Sequence, residues 1–136
     1  MTMSGHPVMA RQDQQVVRTV VIALAGAAGA LVRYAIGTNF ANTSFPWPTL
    51  LINVAGSFLL GLVLGRAPAW STTVTMGVTV GFLGAFTTFS TFAFEATSLV
   101  RDERPGTAAA YVLLSVVLGL AAAAAGWQVG RTLAPG

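Results

Sequence analysis

The chain has 136 residues, of which 54% are hydrophobic and 8% charged, and its mean hydropathy is +0.73. A soluble domain carries about a quarter charged residues, and one this small buries only about two-thirds of the surface of its unfolded chain; disorder needs the opposite composition. Both are excluded, and the chain belongs in a bilayer.

Seven Arg, no Lys and four acids give a net charge of +3. The pI is about 10.7, yet the arginines are scattered and form no basic stripe, which excludes a nucleic-acid partner. Without Cys there is no disulfide or thiol chemistry, and the single His6 lies in a polar segment where no His-based metal site can form.

Residues 1–15 are polar and aperiodic, and read as a mobile tail without the features of a signal peptide. The sequence divides into a polar N-terminal tail (1–18), a four-helix membrane domain (19–130) and a short C-terminal tail (131–136). Within the domain four apolar spans are predicted at 19–40, 48–66, 72–98 and 107–130, each near or above the roughly 20 residues that cross a hydrocarbon core. The connectors are Asn42-Thr43-Ser44 followed by Phe45-Pro46-Trp47-Pro48, then Arg66-Ala67-Pro68-Ala69-Trp70, then Arg101-Asp102-Glu103-Arg104-Pro105-Gly106. Their Pro and Trp residues suit turns and membrane interfaces. An even number of spans puts both termini on one side. That side holds Arg11, Arg18, Arg66 and Arg131; the other holds Arg101 and Arg104, with Arg33 nearest to it. Four against three is almost no orientational bias, which leaves open an unresolved count and insertion both ways round.

Four helices of this size make a thin bundle with little room for an internal pore, so an oligomer is expected. Small residues recur at steps of four in span two (Ser57, Gly61, Gly65) and span four (Ala122, Gly126, Gly130), and on one side of span one (Gly26, Ala30, Arg33, Gly37). Such faces allow close backbone approach, either inside a subunit or between subunits.

Polar residues inside the spans are the candidates for chemistry. Thr49, Asn53 and Ser57 form one stripe on span two. Asn53 is either an interhelical hydrogen bond or a donor in a polar pathway, because an unsatisfied polar group in lipid costs several kcal/mol. Span three carries Gly81-Phe82-Leu83-Gly84-Ala85-Phe86-Thr87-Thr88-Phe89-Ser90-Thr91-Phe92-Ala93-Phe94-Glu95, whose glycines and hydroxylated β-branched residues are poor helix formers. A break there would release carbonyls able to ligate a cation. Phe89 and Phe92 share a face; they either pack or offer their positive ring edges to a small anion. Glu95 follows on that face and either snorkels or acts as an intramembrane functional group. Tyr111 and Ser115 are four apart on span four, with Gly119 at the next step. Arg33 either reaches headgroups or sets a positive potential at a pathway mouth.

Together these segments resemble the Fluc (CrcB) family of bacterial fluoride channels. The resemblance is carried by Gly26-Ala-Ala-Gly-Ala-Leu-Val-Arg33-Tyr34, by Thr49 with Asn53-xx-Gly56-Ser57, by Gly84-Ala-Phe-Thr87-Thr-Phe89-Ser-Thr-Phe92 followed by Glu95, and by Tyr111 with Ser115. It implies an all-α membrane protein of four transmembrane helices per subunit, the third helix broken, assembled as an antiparallel dual-topology dimer in the bacterial cytoplasmic membrane. It implies passive, selective fluoride export through two pores, and no enzyme activity. Phe89 and Phe92 would line the pore and Asn53 its vestibule. Tyr111 and Ser115 would form a polar track, with Thr49 and Arg33 near the vestibule and Glu95 near the pathway. The backbone carbonyls of Gly84 and Thr87 would hold a structural Na⁺ at the dimer centre. The implied partners are fluoride, membrane lipids and a second copy of the chain, with a paralogous subunit as the alternative to that copy. Two positions depart from the family pattern: Gly119 stands where relatives continue the polar track with a hydroxyl, and Ala85 replaces a common Gly. A proton-coupled exporter using Glu95, and a non-transporting assembly subunit, are the rival classes.

Overall fold

The computed structural model describes residues 7–39, 44–66 and 70–133. The expected turn at Asn42-Thr43, the Ala67-Pro68-Ala69 part of the second connector, His6 and the start of the tail lie outside the described residues. The fold is all-helical: α1 (Pro7–Asn39), α2 (Trp47–Gly65), α3 (Thr72–Met76), a π-helical stretch (Gly77–Leu83), α4 (Gly84–Phe86), α5 (Phe89–Arg101) and α6 (Pro105–Thr132). Among the described residues, four helical segments are long and apolar enough to cross a membrane: Arg11–Asn39, Trp47–Gly65, Thr72–Arg101 and Pro105–Thr132.

Helix α1 begins at Pro7, well before the predicted start of span one. Pro suits the first helical position, Met, Ala, Arg and Gln are good helix formers, and extending a helix already nucleated by the apolar span costs little. Its 33 residues reach about 50 Å, well beyond a hydrocarbon core of about 30 Å, so its polar first turns stand outside that core.

Glycine contacts join the helices into two parallel pairs. In the first, α2 lies along α6. A methyl on Gly61 would overlap the Ala123 carbonyl, one on Gly65 that of Trp127, one on Gly126 that of Phe58 and one on Gly130 that of Leu62. Both small-residue faces, left open between monomer and interface by the sequence, are therefore consumed inside the subunit. In the second pair α1 lies along the third span, where methyls on Gly29 and Gly81 would overlap the Phe82 and Ile22 carbonyls. The π-helical stretch lies in this contact. Gly37, the last small residue of that α1 face, has open space around it.

The pairs meet through α2, whose Leu50 packs with Leu99, Ala108 and Tyr111 while Ile52 packs with Leu83 and Phe86. Helix α5 turns into α6 through a left-handed residue, Glu103 (φ 58°). The amide of Glu103 donates to the Val100 carbonyl (3.1 Å) and that of Arg104 to the Leu99 carbonyl (2.9 Å), satisfying the last carbonyls of α5, and Pro105 opens α6.

The backbone overlap at Gly126 predicts that Gly126→Ala forces α2 and α6 apart and lowers stability by about 1–3 kcal/mol. Gly106, in the first turn of α6 with nothing within 4 Å of an added methyl, is the control: Gly106→Ala raises helix propensity and stabilises by up to about 1 kcal/mol. Thermal unfolding of the two variants in detergent should move in opposite directions.

Candidate functional site

The third span contains two residues with extended backbone, Thr87 (φ −79°, ψ 159°) and Thr88 (φ −151°, ψ 113°), between the end of α4 and the start of α5. Such a link takes peptide groups out of the helical ladder, and in apolar surroundings each needs another partner. Asn53 supplies two of them. Its Oδ1 accepts from the Thr88 amide at 2.9 Å and its Nδ2 donates to the Thr88 carbonyl at 3.2 Å. From α1, Arg33 Nε donates to the Ala85 carbonyl at 3.0 Å. The Thr87 amide and hydroxyl both donate to the Leu83 carbonyl, each at 3.0 Å. Thr88 then caps α5, its Oγ1 accepting from the Thr91 amide at 3.2 Å. Among the described residues no hydrogen-bond donor reaches the carbonyls of Gly84 or Thr87. Gly56 makes the close approach of α2 possible, since a methyl there would overlap Thr87 Cγ2.

One turn further along α5, the Glu95 carboxylate joins three helices. Thr49 Oγ1 donates to Oε1 at 2.9 Å and the Tyr111 hydroxyl donates to Oε2 at 2.7 Å. Thr49 is 5% exposed and Tyr111 fully buried, so both lone-pair sides of an acid within a membrane-length helix are held by neutral hydroxyls. Phe92 lies against this group, its ring centroid 5.2 Å from that of Tyr111 and 5.8 Å from that of Phe89. Phe89 itself is 80% exposed.

Two clefts flank the link. A larger one of about 810 Å³ is lined by Arg33, Thr49, Thr88, Thr91, Glu95, Asp102 and Arg104. A smaller one of about 350 Å³ shares Thr88 with it and is lined by Asn53, Ser57, Gly84, Thr87, Phe89, Phe92 and Ser115. Ser115 Oγ is shielded from solvent and has no hydrogen-bond partner among the described residues, which leaves an unused hydroxyl in the second cleft.

Residues 20–127 match the family model described as "CrcB-like protein, Camphor Resistance (CrcB)". The chain belongs to the CrcB family. It is 50% identical over 119 residues to a Deinococcus radiodurans protein named "Fluoride-specific ion channel FluC", the match covering 82% of this chain and 94% of that relative. A Geobacter sulfurreducens protein of the same name is 41% identical over 120 residues (84% and 97%). A Clostridium acetobutylicum protein named "Fluoride-specific ion channel FluC 2" is 38% identical over 103 residues (74% and 86%). The family is one of ion channels rather than enzymes, and the chain is a multi-pass bacterial membrane protein.

The residues by which the chain resembles CrcB proteins fall into one connected region. Thr49, Asn53 and Ser57, the polar stripe of α2, face α5 and α6: Thr49 meets Glu95, Asn53 meets Thr88, and a methyl on Gly119 would lie 3.7 Å from Ser57 Oγ. Arg33, Gly84, Thr87, Phe89, Phe92, Glu95, Tyr111 and Ser115 all line the two clefts or contact residues that do. The sequence missed Thr88, whose backbone is the meeting point of α2 and the third span, and Asp102 and Arg104, which line the larger cleft. A Thr-Thr pair between two helical stretches, followed three residues later by a hydroxyl, was the available signal for Thr88.

Removing the Asn53 amide strands both polar groups of Thr88. Asn53→Ala should cost about 1–3 kcal/mol for each group left unpaired, read as a large fall in the unfolding temperature of the purified protein. Thr97→Ala, which removes only a 2.8 Å bond to the Ala93 carbonyl of its own helix from an exposed position, should change stability by less than about 0.5 kcal/mol.

Proposed function

We propose that the protein is a fluoride-selective channel that lets fluoride leave the cell passively, as an antiparallel dimer of oppositely inserted copies with two pathways. The observation that carries the reading is the set of neutral donors and ring edges along the smaller cleft, the Asn53 amide, the phenylalanine pair and the Ser115 hydroxyl, which has no partner among the described residues, in a chain half identical over 119 residues to a protein named as a fluoride-specific channel. Fluoride is small and tightly hydrated, so a pathway must replace its water with many modest donors, binding it firmly enough to enter and weakly enough to leave. Aromatic ring edges and hydroxyls meet that need without a trapping charge. Asn53 keeps one amide hydrogen beyond its bond to Thr88, and the Arg33 terminal nitrogens remain for the larger cleft. Glu95, held by Thr49 and Tyr111, fixes where those two hydroxyls stand.

The dimer reading is supported by the near-even arginine split and by the 80% exposure of Phe89 on one subunit. A paralogous partner is the alternative to a second copy. The third span is read as a broken helix, supported by the extended Thr87 and Thr88. Its released carbonyls at Gly84 and Thr87 are neutral oxygens of the kind that suits a hard cation, and Gly84 is exposed on the subunit surface. These residues fit a structural Na⁺, which when bound would supply a fixed positive charge and a shared tie between the copies. Gly119 leaves one step of the polar track to Ser57 or to water.

Liposomes holding the purified protein should release fluoride without a proton gradient. Phe89→Ile and Phe92→Ile should each slow that release about five- to tenfold, the scale of one lost aromatic interaction, with the assembly retained on a sizing column. Asn53→Asp should also slow it by replacing a donor with a negative charge. Vesicles as tight to fluoride as empty ones, or proton-driven export of organic cations instead, would overturn the reading.

A further inference from the structure

Of the six peptide carbonyls from Leu83 to Thr88, three have side-chain or local partners and three have none among the described residues. Leu83 accepts from Thr87, Ala85 from Arg33 and Thr88 from Asn53. The carbonyls of Gly84, Phe86 and Thr87 are reached by no donor among the described residues. The two side-chain clasps, on Ala85 and Thr88, come from different helices, α1 and α2. We infer that Arg33 and Asn53 are positioning residues that select which carbonyls stay available to a cation, by fixing those of Ala85 and Thr88 away from that role. The inference rests on the structural Na⁺ of the proposed function and adds to it the two side chains that shape the site.

The chemistry favours a clasp over a second reading in which Arg33 acts by charge alone. An Nε–H donating at 3.0 Å from a planar guanidinium is directional, and it fixes the peptide plane between Gly84 and Thr87. Asn53 bonds both the amide and the carbonyl of one residue, as a neighbouring strand would, and so determines the orientation of the peptide groups on either side of Thr88. The two readings of Arg33 predict opposite signs. A bare positive charge close to a cation site repels the cation, so removing it would tighten Na⁺ binding. Removing a clasp lets the Ala85 peptide turn and weakens Na⁺ binding.

The test is thermal unfolding of the full chain in detergent, titrated with Na⁺ at constant ionic strength against a large organic cation. The unaltered protein should gain stability with Na⁺. Arg33→Met, which has no donor, should raise the Na⁺ concentration needed for half of that gain by about tenfold, the scale of one hydrogen bond to a charged group, and Arg33→Lys, which keeps a donor, should recover part of it. An unchanged or lowered half-point in Arg33→Met overturns the clasp and leaves the sodium reading standing. An unaltered protein that does not respond to Na⁺ removes both. If Arg33→Met does not fold, residue-resolved hydrogen exchange on the unaltered chain decides. The Thr88 amide, clasped by Asn53, should exchange more slowly than those of Phe89 and Ser90, which have no acceptor among the described residues; equal rates at all three overturn the inference.

Discussion

A peptide group without a hydrogen-bond partner is costly in an apolar medium, and the third span contains two consecutive residues that leave the helical ladder. Much of the remaining structure follows from that constraint. Helix α2 must come close enough for Asn53 to reach Thr88, which requires Gly56 to make room for the Thr87 side chain. Helix α1 must run parallel to the third span so that Arg33 meets Ala85. Helix α5 must restart from Thr88, whose hydroxyl accepts from the Thr91 amide. Each link is an interaction across helices or across a cap, so the irregular segment is tied at once to α1, α2 and α5.

Small residues supply the geometry for these links. In lipid there is little hydrophobic drive for one helix to pack on another, so close backbone approach and polar contacts carry the association. The glycines of α2 and α6 bring those helices into carbonyl contact along several turns, and those of α1 and the π-helical stretch do the same for the other pair. With both pairs pinned, the polar stripe of α2 has one place to go, the seam against α5 and α6. There Thr49 and Tyr111 hold the Glu95 carboxylate, an acid whose two oxygens are answered by neutral hydroxyls. The same seam leaves Phe89 and the Ser115 hydroxyl at its edge, the first exposed on the subunit and the second without a partner among the described residues.

The sequence by itself determined the membrane class, the four spans and the identity of the polar residues within them, because hydropathy, length and residue spacing are local properties. The helix-poor composition around Thr87 was legible in the same way. The tertiary structure decided partner choice. Spacing puts Thr49, Asn53 and Ser57 on one face without saying that Thr49 meets an acid while Asn53 meets a backbone. Small-residue periodicity marks a face for close approach without saying whether the neighbour lies in the same subunit. Neither the π-helical stretch nor the early start of α1 has a periodic signature, since the first follows from packing against α1 and the second from continuation of a helix nucleated elsewhere. Arg33 shows the difference most clearly: its charge is written in the chain, but the Ala85 carbonyl it meets, 52 positions away, is brought to it only by the packing of two parallel helices.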